Sequence, residues 1–433
     1  MNTIVVDCGA SFVKAAKFVG GEIIERFYEN TPSVRSESTL FDPVYISALW
    51  NLVCRAIEKL STGEKEVKVC ISNEMHGFLL ADDTGTPFTD YISWQRELGK
   101  EELGILSEPE ILNAVKKSGM TLRAGLPICN LFYLSRHGYM EDKNGTLYFY
   151  TLGDFLIKKF TGEEPICHPT NAAATGLYDI IDKTWSNKIL DFIDCSKVVF
   201  PIVGKKIISV EREGVLYHLL PAIGDHQAAL FGSGMNEKAI SFNLGTGAQV
   251  SVMCDNIEMS EEYQVCPFLG EKYIKRIPHL PSGRALNVYF RFFKEVVNLL
   301  NVDISDEQLW KILLEEAEKN TGKELSFEMS FFENPMTKKT VGSIANISEF
   351  GFTVGSVISG AIEGMIKNYI WAANKLCKTD IGIDTIIFSG GIASKISLIR
   401  EEIVKVFPMV SNVIIAQDET LIGLYRYGEA DYE

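Results

Sequence analysis

The sequence predicts an α/β chain of two related lobes, and three observations carry that expectation. The first is length, since 433 residues exceed what one hydrophobic core ordinarily organises. The second is a weak internal repeat. VVDCGASFVKAAKF and AISFNLGTGAQVSVMC share one layout: an apolar strand, a Gly-bearing turn and a second strand. The third is period: short β-branched runs recur among stretches with apolar residues at three- and four-residue spacing. The repeat places the boundary near residue 234, giving lobes over 1–234 and 235–433 with no disordered-type linker between them.

Taken in order, NTIVVDC, FVKAAKFV and EIIERFY read as three short strands, the last two separated by Gly20-Gly21, hence an antiparallel meander. ISALWNLVCRAIEKL predicts a helix over about 43–60, and VKVCIS a buried strand ending at the polar turn NEMHG. Further helices are expected near 100–117, 127–137 and 151–160. In the second lobe the longest helix is expected over 355–377. The strand TIIFSGG then leads to a helix near 395–406, and VIIAQ to the last helix.

Composition narrows the function classes. A net charge of −15 repels a phosphate backbone over most of the surface, so nucleic acid is not an expected partner; one local basic pocket for a nucleotide is compatible with it. MNTIVVDCGA has no basic segment ahead of its apolar run, and no apolar run reaches membrane-spanning length. A cytoplasmic protein without a membrane partner is expected. Nine scattered cysteines, without a CxxC pair or a Cys/His cluster at zinc spacing, read as reduced, mostly buried thiols, with no structural metal.

Two Gly turns, one per lobe, could hold phosphate. In DCGAS, Gly9 allows close backbone approach, Asp7 could hold a hydrated magnesium ion, and Lys14 could touch phosphate as a point charge. Gly245, Thr246 and Gly247 offer a matching turn in NLGTGAQ, and SGGIASK supplies a third between strand and helix. Each is also readable as an ordinary turn. The pattern is not GxxxxGK[ST], which disfavours a P-loop enzyme. In PAIGDHQAALFGSG, Asp225 is on local evidence either a base or a helix cap.

In order along the chain, DCGASFVK, SNEMHG, ISWQRE, TLGDFLIKKFTG, HPTNAAATGLYD, PAIGDHQAALFGSG, NLGTGAQVSV and FSGGIAS resemble the FGGY carbohydrate kinases of the actin/hexokinase-like superfamily. The resemblance implies two ribonuclease-H-like lobes with an interlobe cleft, the first binding sugar and the second nucleotide. It implies ATP and magnesium as cofactors and a small sugar as partner; homodimers are common among relatives. GDHQAALFGSG, SGRALNVYFRFF and ELSFEMSFFENPMTKKTVGSIANISEFGFTVGSVISGAIEGM are most similar to bacterial sedoheptulokinases, while the MHG turn is shared with xylulokinase-like enzymes.

Carried over by residue, the resemblance makes Asp225 the general base, a role a carboxylate in reach of the attacking hydroxyl can fill. Asp7 and Asp225 would lie by magnesium. Gly9, Ser11 and Lys14 would serve the first phosphate turn, Gly245, Thr246 and Gly247 the second, with Gly390 and Gly391 against adenine. Met75, His76, Gly77, Trp94, Gln95 and Asp225 would surround the sugar. On residues alone His76 is equally a turn histidine, Trp94 a core residue, and Asn171 a cap.

The pattern is not complete. Ala10 stands where a hydroxyl residue is usual, Arg96 where an acidic residue commonly follows WQ, and Asn130 and Tyr133 where Lys and Trp are preferred. FFENP replaces a Gly-Thr-Arg stretch, and the C-terminal ETLIGLYRYGEA keeps Gly423 but lacks the alanine-rich ending. The expected activity is phosphorylation of a ketose, sedoheptulose foremost. The alternatives are a xylulokinase- or ribulokinase-like enzyme, or a catalytically weakened sugar- or nucleotide-binding protein.

Overall fold

The computed structural model describes residues 1–33, 40–141, 145–320, 325–377 and 382–430; Glu324, which opens one of the stretches above, lies outside them. The chain forms two compact units. One comprises Met1–Gly234, Asp255–Tyr273 and Asp418–Glu433, the other Met235–Cys254 and Ile274–Gln417. The division expected at 1–234 and 235–433 therefore needs correcting, because two later segments return to the first unit. The reason for the last is packing: helix Glu419–Glu429 places Leu421, Leu424 and Tyr427 in an apolar cluster with Val5, Cys70 and Ile223.

In the first unit the sheet runs Glu22–Asn30, Phe12–Val19, Asn2–Cys8, Glu66–Asn73, Val215–Leu219 and Ile208–Arg212, and Ile223–Gly224 also pairs with Glu66–Asn73. Asn2–Cys8 and Glu66–Asn73 run parallel and are covered on both faces, which is why they are buried along almost their whole length. Helices Val44–Leu60 and Leu152–Thr161 pack on one face, through Leu49, Val53, Phe155 and Leu156 among others. The other face carries the helices Asp225–Gly232 and Glu419–Glu429.

In the second unit the strands Tyr273–Leu280, Ala248–Cys254, Ala239–Leu244, Thr385–Ser389 and Asn412–Ile415 lie side by side in that order. Ala239–Leu244 is antiparallel to Ala248–Cys254 and parallel to Thr385–Ser389, as Asn2–Cys8 is to Phe12–Val19 and Glu66–Asn73. The internal repeat is thus a repeat of strand order. Helix Val354–Leu376 is buried almost all round and opens with a capping box from Thr353 and Ser356.

Most expected elements form within a residue or two of the expected bounds. The stretch 100–117 instead holds two short helices, Leu103–Leu106 and Pro109–Lys116. Pro109 has no amide hydrogen to continue a helix but suits the first turn of a new one. None of the nine cysteines forms a disulfide, and six are buried. Among the described residues no helix is long and apolar enough to cross a membrane.

Candidate active site

Register brings several predicted residues to one end of the first unit's sheet. Asp7 pairs in register with Ser72, and Ser72 with Ile223; the next row is Cys8, Asn73 and Gly224, and Asp225 follows at once. Asp7 and Asp225 therefore belong to strand ends roughly 10 Å apart, two strand spacings. Asp225 is the first residue of helix Asp225–Gly232, and its carboxylate accepts the His226 amide at 2.7 Å. Gly224, not Asp225, is the residue that caps this helix.

A polar network fixes that turn. The His168 ring accepts the Thr170 amide, and Thr170 Oγ1 accepts the Gly224 amide at 3.1 Å. The Asn171 amide group donates to Asn73 Oδ1 at 3.0 Å and to the Ala222 carbonyl at 2.9 Å. Asn171 thus ties the end of strand Glu66–Asn73 to the segment delivering Asp225. Gln227 is wholly buried, and donates to the Pro267 carbonyl.

Around Asp225 the structure gathers Met75, Gly77, Tyr91, Glu74 and Trp94. A Cβ on Gly224 would meet Met75 Sδ at 2.7 Å, and one on Gly77 would meet the Tyr91 hydroxyl at 2.0 Å. Both glycines are demanded by close approach. Burial raises the Tyr91 hydroxyl well above its ordinary range, and the carboxylates of Glu74 and Asp225 add to this. Burial also pushes the Glu74 carboxyl up, opposed by the Tyr91 and Trp94 side chains. His76 takes a left-handed backbone with φ 66°, and its Nδ1 donates to the Ala174 carbonyl at 2.7 Å.

Trp94 is not a core residue: it is 37% exposed, with the Arg123 guanidinium 5.8 Å from its ring. Gln95 beside it is exposed. The departures at Asn130 and Arg96 meet here. Buried Asn130 donates to the Arg96 carbonyl at 2.8 Å and accepts the Gly99 amide, so it shapes the loop that follows Trp94. Glu74 and Tyr91 were not singled out from sequence. The available signal for Glu74 was a carboxylate in the polar turn NEMHG that follows a buried strand.

At the first Gly turn, the Gly9 amide donates to the Phe12 carbonyl, and the Gly9 carbonyl accepts the Thr31 hydroxyl at 2.7 Å. Ser11 is exposed; Lys14 lies opposite Asp7 in register. Asp7 is buried, accepts the Ser72 hydroxyl at 2.9 Å, and is pushed up to about 6 by burial, with Ser72 and Lys14 opposing. A hard cation beside this carboxyl would offset that penalty. Among the described residues no group of three or more His, Cys, Asp or Glu could hold a metal. Such an ion would draw its other ligands from water and nucleotide, as magnesium does.

The second unit contains a cavity of about 1360 Å³ lined by Gly245, Thr246, Gly283, Arg284, Trp310 and Gly391, among others. The turn is anchored by the start of helix Gly283–Leu299: Ser282 Oγ and the Gly283 amide donate to the Gly245 carbonyl, and the Arg284 amide to the Thr246 carbonyl at 2.8 Å. A Cβ on Gly391 or Gly247 would enter open space. Gly390 differs, having φ +88° and a would-be Cβ 2.5 Å from the Leu244 carbonyl; it serves the turn itself. Neither Gly390 nor Gly247 lines the cavity.

Comparison with known proteins agrees with this architecture. Residues 2–212 match the model of the FGGY family of carbohydrate kinases, N-terminal domain. A glycerol kinase of Enterococcus faecalis is 28% identical over 220 residues, 46% of this chain and 43% of that protein. A glycerol kinase of Bacillus licheniformis is 30% identical over 177 residues, 38% of this chain and 36% of that protein. The matched stretch thus spans less than half of those relatives' length. A ligand-bound xylulose kinase from Lactobacillus acidophilus superposes with TM-score 0.83 at 17% identity, covering 100% of this chain and 90% of that one. A gluconate kinase from the same organism gives 0.84 at 17% identity, covering 100% and 91%. The whole chain shares the two-sheet α/β fold of those kinases, and its residues 2–212 are similar to the N-terminal domain of the FGGY family of carbohydrate kinases.

Proposed function

We propose that the protein is an ATP-dependent carbohydrate kinase that passes the γ-phosphate to a terminal hydroxyl of a ketose, with Asp225 as general base. The observation that carries this reading is the placement of Asp225 at the start of its helix, beside Met75, Tyr91 and Gly224. A carboxylate there can orient a sugar hydroxyl and take its proton as the O–P bond forms. Trp94 offers an apolar wall and one N–H donor, as a polyol site needs. In the second unit the backbone of Gly245–Gly247 would bear phosphate and Trp310, Leu314 and Ile392 the base; in the first, Lys14 and the backbone of the Gly9 turn offer phosphate a cation and amide groups. Magnesium beside Asp7, and near Asp225, would neutralise phosphate charge. The chain's own part is to hold the acceptor, accept its proton and exclude water.

Sedoheptulose is the substrate favoured by the motifs most similar to sedoheptulokinases. A pentulose is the second reading, favoured by the Met75-His76-Gly77 turn and by the fold shared with xylulose kinases. The test is ADP release from magnesium-ATP against sedoheptulose, xylulose, ribulose, gluconate and glycerol. One acceptor should stand well above the rest, and Asp225→Asn should cut its turnover by about two to four orders of magnitude with ATP binding retained. Near-wild-type turnover in that variant removes Asp225 as base. A flat panel in a protein that binds ATP favours a sugar- or nucleotide-responsive binding module.

A further inference from the structure

We propose that Arg284 grips the outer phosphates of the bound nucleotide, leaving its resting place on Phe332 to do so. The inference rests on the reading of the second unit's cavity as the nucleotide site. Three hydrogen bonds from Ser282, Gly283 and Arg284 clamp the chain to the Gly245–Thr246 turn, so the Arg284 backbone is fixed beside the turn assigned to phosphate. Its side chain lines the cavity and is exposed.

The guanidinium rests 5.3 Å from the centre of the Phe332 ring. Among the described residues no carboxylate lies within ion-pair distance of it. An exposed cation–π contact is weaker than a guanidinium gripping a phosphate with two parallel hydrogen bonds. Arg284 would therefore exchange one for the other when a phosphate arrives.

Charge around the cavity sets the direction of the nucleotide. Helix Asp306–Lys319 contributes Glu307, Glu315, Glu318 and one cation, Lys311, to the lining, and Lys311 lies 3.9 Å from Glu315. That wall repels phosphate, while Trp310 and Leu314 on it suit a flat base. Arg284 stands on the other helix, beside the turn. Lys395, the remaining lining cation, ends the short helix Gly391–Lys395 and has no comparable tie to the turn.

The test is calorimetry of the full chain with ATP, ADP and AMP, each with magnesium, for wild type, Arg284→Ala, Arg284→Lys and Lys395→Ala. Arg284→Ala should weaken ATP and ADP about tenfold or more and AMP less than about threefold, as expected for losing a hydrogen bond to a charged group. Arg284→Lys should recover part of that loss, since it keeps the charge without the fork. Sugar affinity should not change. An equal loss for all three nucleotides, no loss at all, or the graded loss in Lys395→Ala instead would overturn the assignment. Wild-type protein that binds no nucleotide would overturn the reading of the cavity, and Arg284 with it; loss confined to the variants separates the two.

Discussion

The two units lay five strands in the same order, yet they differ in charge at matching positions. In the first, Asp7 pairs in register with Lys14 on one side and Ser72 on the other. In the second, the position is Asn243, between Gln249 and Ser389. An acid–base pair in one unit is an amide pair in the other. Burial follows the same division. Among the described residues, the buried carboxylates Asp7, Glu74, Asp90, Glu102, Asp154 and Asp179 are all in the first unit, while the only charged residue that the second buries is Arg276. One scaffold has been kept carboxylate-rich where an acceptor and a cation would be handled. It is neutral at the turn where a polyanion would lie.

Exchanging the residues breaks the comparison most directly. Asp7→Asn should lower turnover by about two orders of magnitude or more, the scale of losing one preorganised charged group. It should not cost stability, because an amide is cheaper to bury than a carboxylate. Asn243→Asp should leave the first unit untouched and weaken ATP binding by about tenfold, since like charges at the phosphate turn repel. Turnover assays and nucleotide titrations check the pair. Wild-type turnover in Asp7→Asn would make the charge difference between the units merely structural.

The second difference is steric. Helices Asp225–Gly232 and Glu419–Glu429 touch backbone to backbone: a Cβ on Gly423 would lie 1.8 Å from the Ala228 carbonyl, and one on Gly232 1.8 Å from the Glu419 carbonyl. Gly423→Ala should therefore destabilise the protein by about 2–4 kcal/mol, or shift the helix that begins with Asp225 and lower turnover. Gly391→Ala, facing open space in the second unit, should change stability by less than about 0.5 kcal/mol. Urea unfolding of both variants measures the contrast, and equal effects would refute it.

How far the sequence shows all this depends on whether the cause is local. The strand–turn–strand openings, the helix Val44–Leu60 and the buried strand Thr385–Ser389 are legible because their periods are written in neighbouring residues. The return of Glu419–Glu429 to the first unit is not, since its partners lie far off in sequence, 194 residues away at Gly232 and 426 at Thr3. In the site, Asp225 and the Gly turns stand out by residue type. Glu74, Tyr91 and Arg284 do not: each gains its meaning from a neighbour brought by the fold, such as Gly77 against Tyr91. Asn130 looked like a loss of pattern and is instead the clamp on the Arg96 loop.

Because the first unit buries the carboxylates, pH should act chiefly on it, and Asp154 sharpens that claim. The Asp154 side chain is wholly buried; Thr151 donates to its Oδ2 at 2.7 Å, and its Oδ1 has no hydrogen-bond partner among the described residues. Burial raises it from the ordinary 3.8 to about 6. The folded state thus favours its proton, so the stability it contributes is whole below pH 3.8 and is lost as pH rises through about 6. His168 works in the opposite sense. Burial lowers it from 6.5 to about 3, so its contribution is whole above 6.5 and is lost as pH falls toward 3. Asp154→Asn removes the first effect while keeping the volume. Its stability relative to wild type should grow between pH 4 and pH 7.5, by up to roughly 3 kcal/mol, with the opposing His168 slope then exposed. Urea unfolding at those two pH values reads the difference. An unchanging difference would mean that the folded protein supplies Asp154 with a partner for its charge, and that burial alone does not set the contrast between the units.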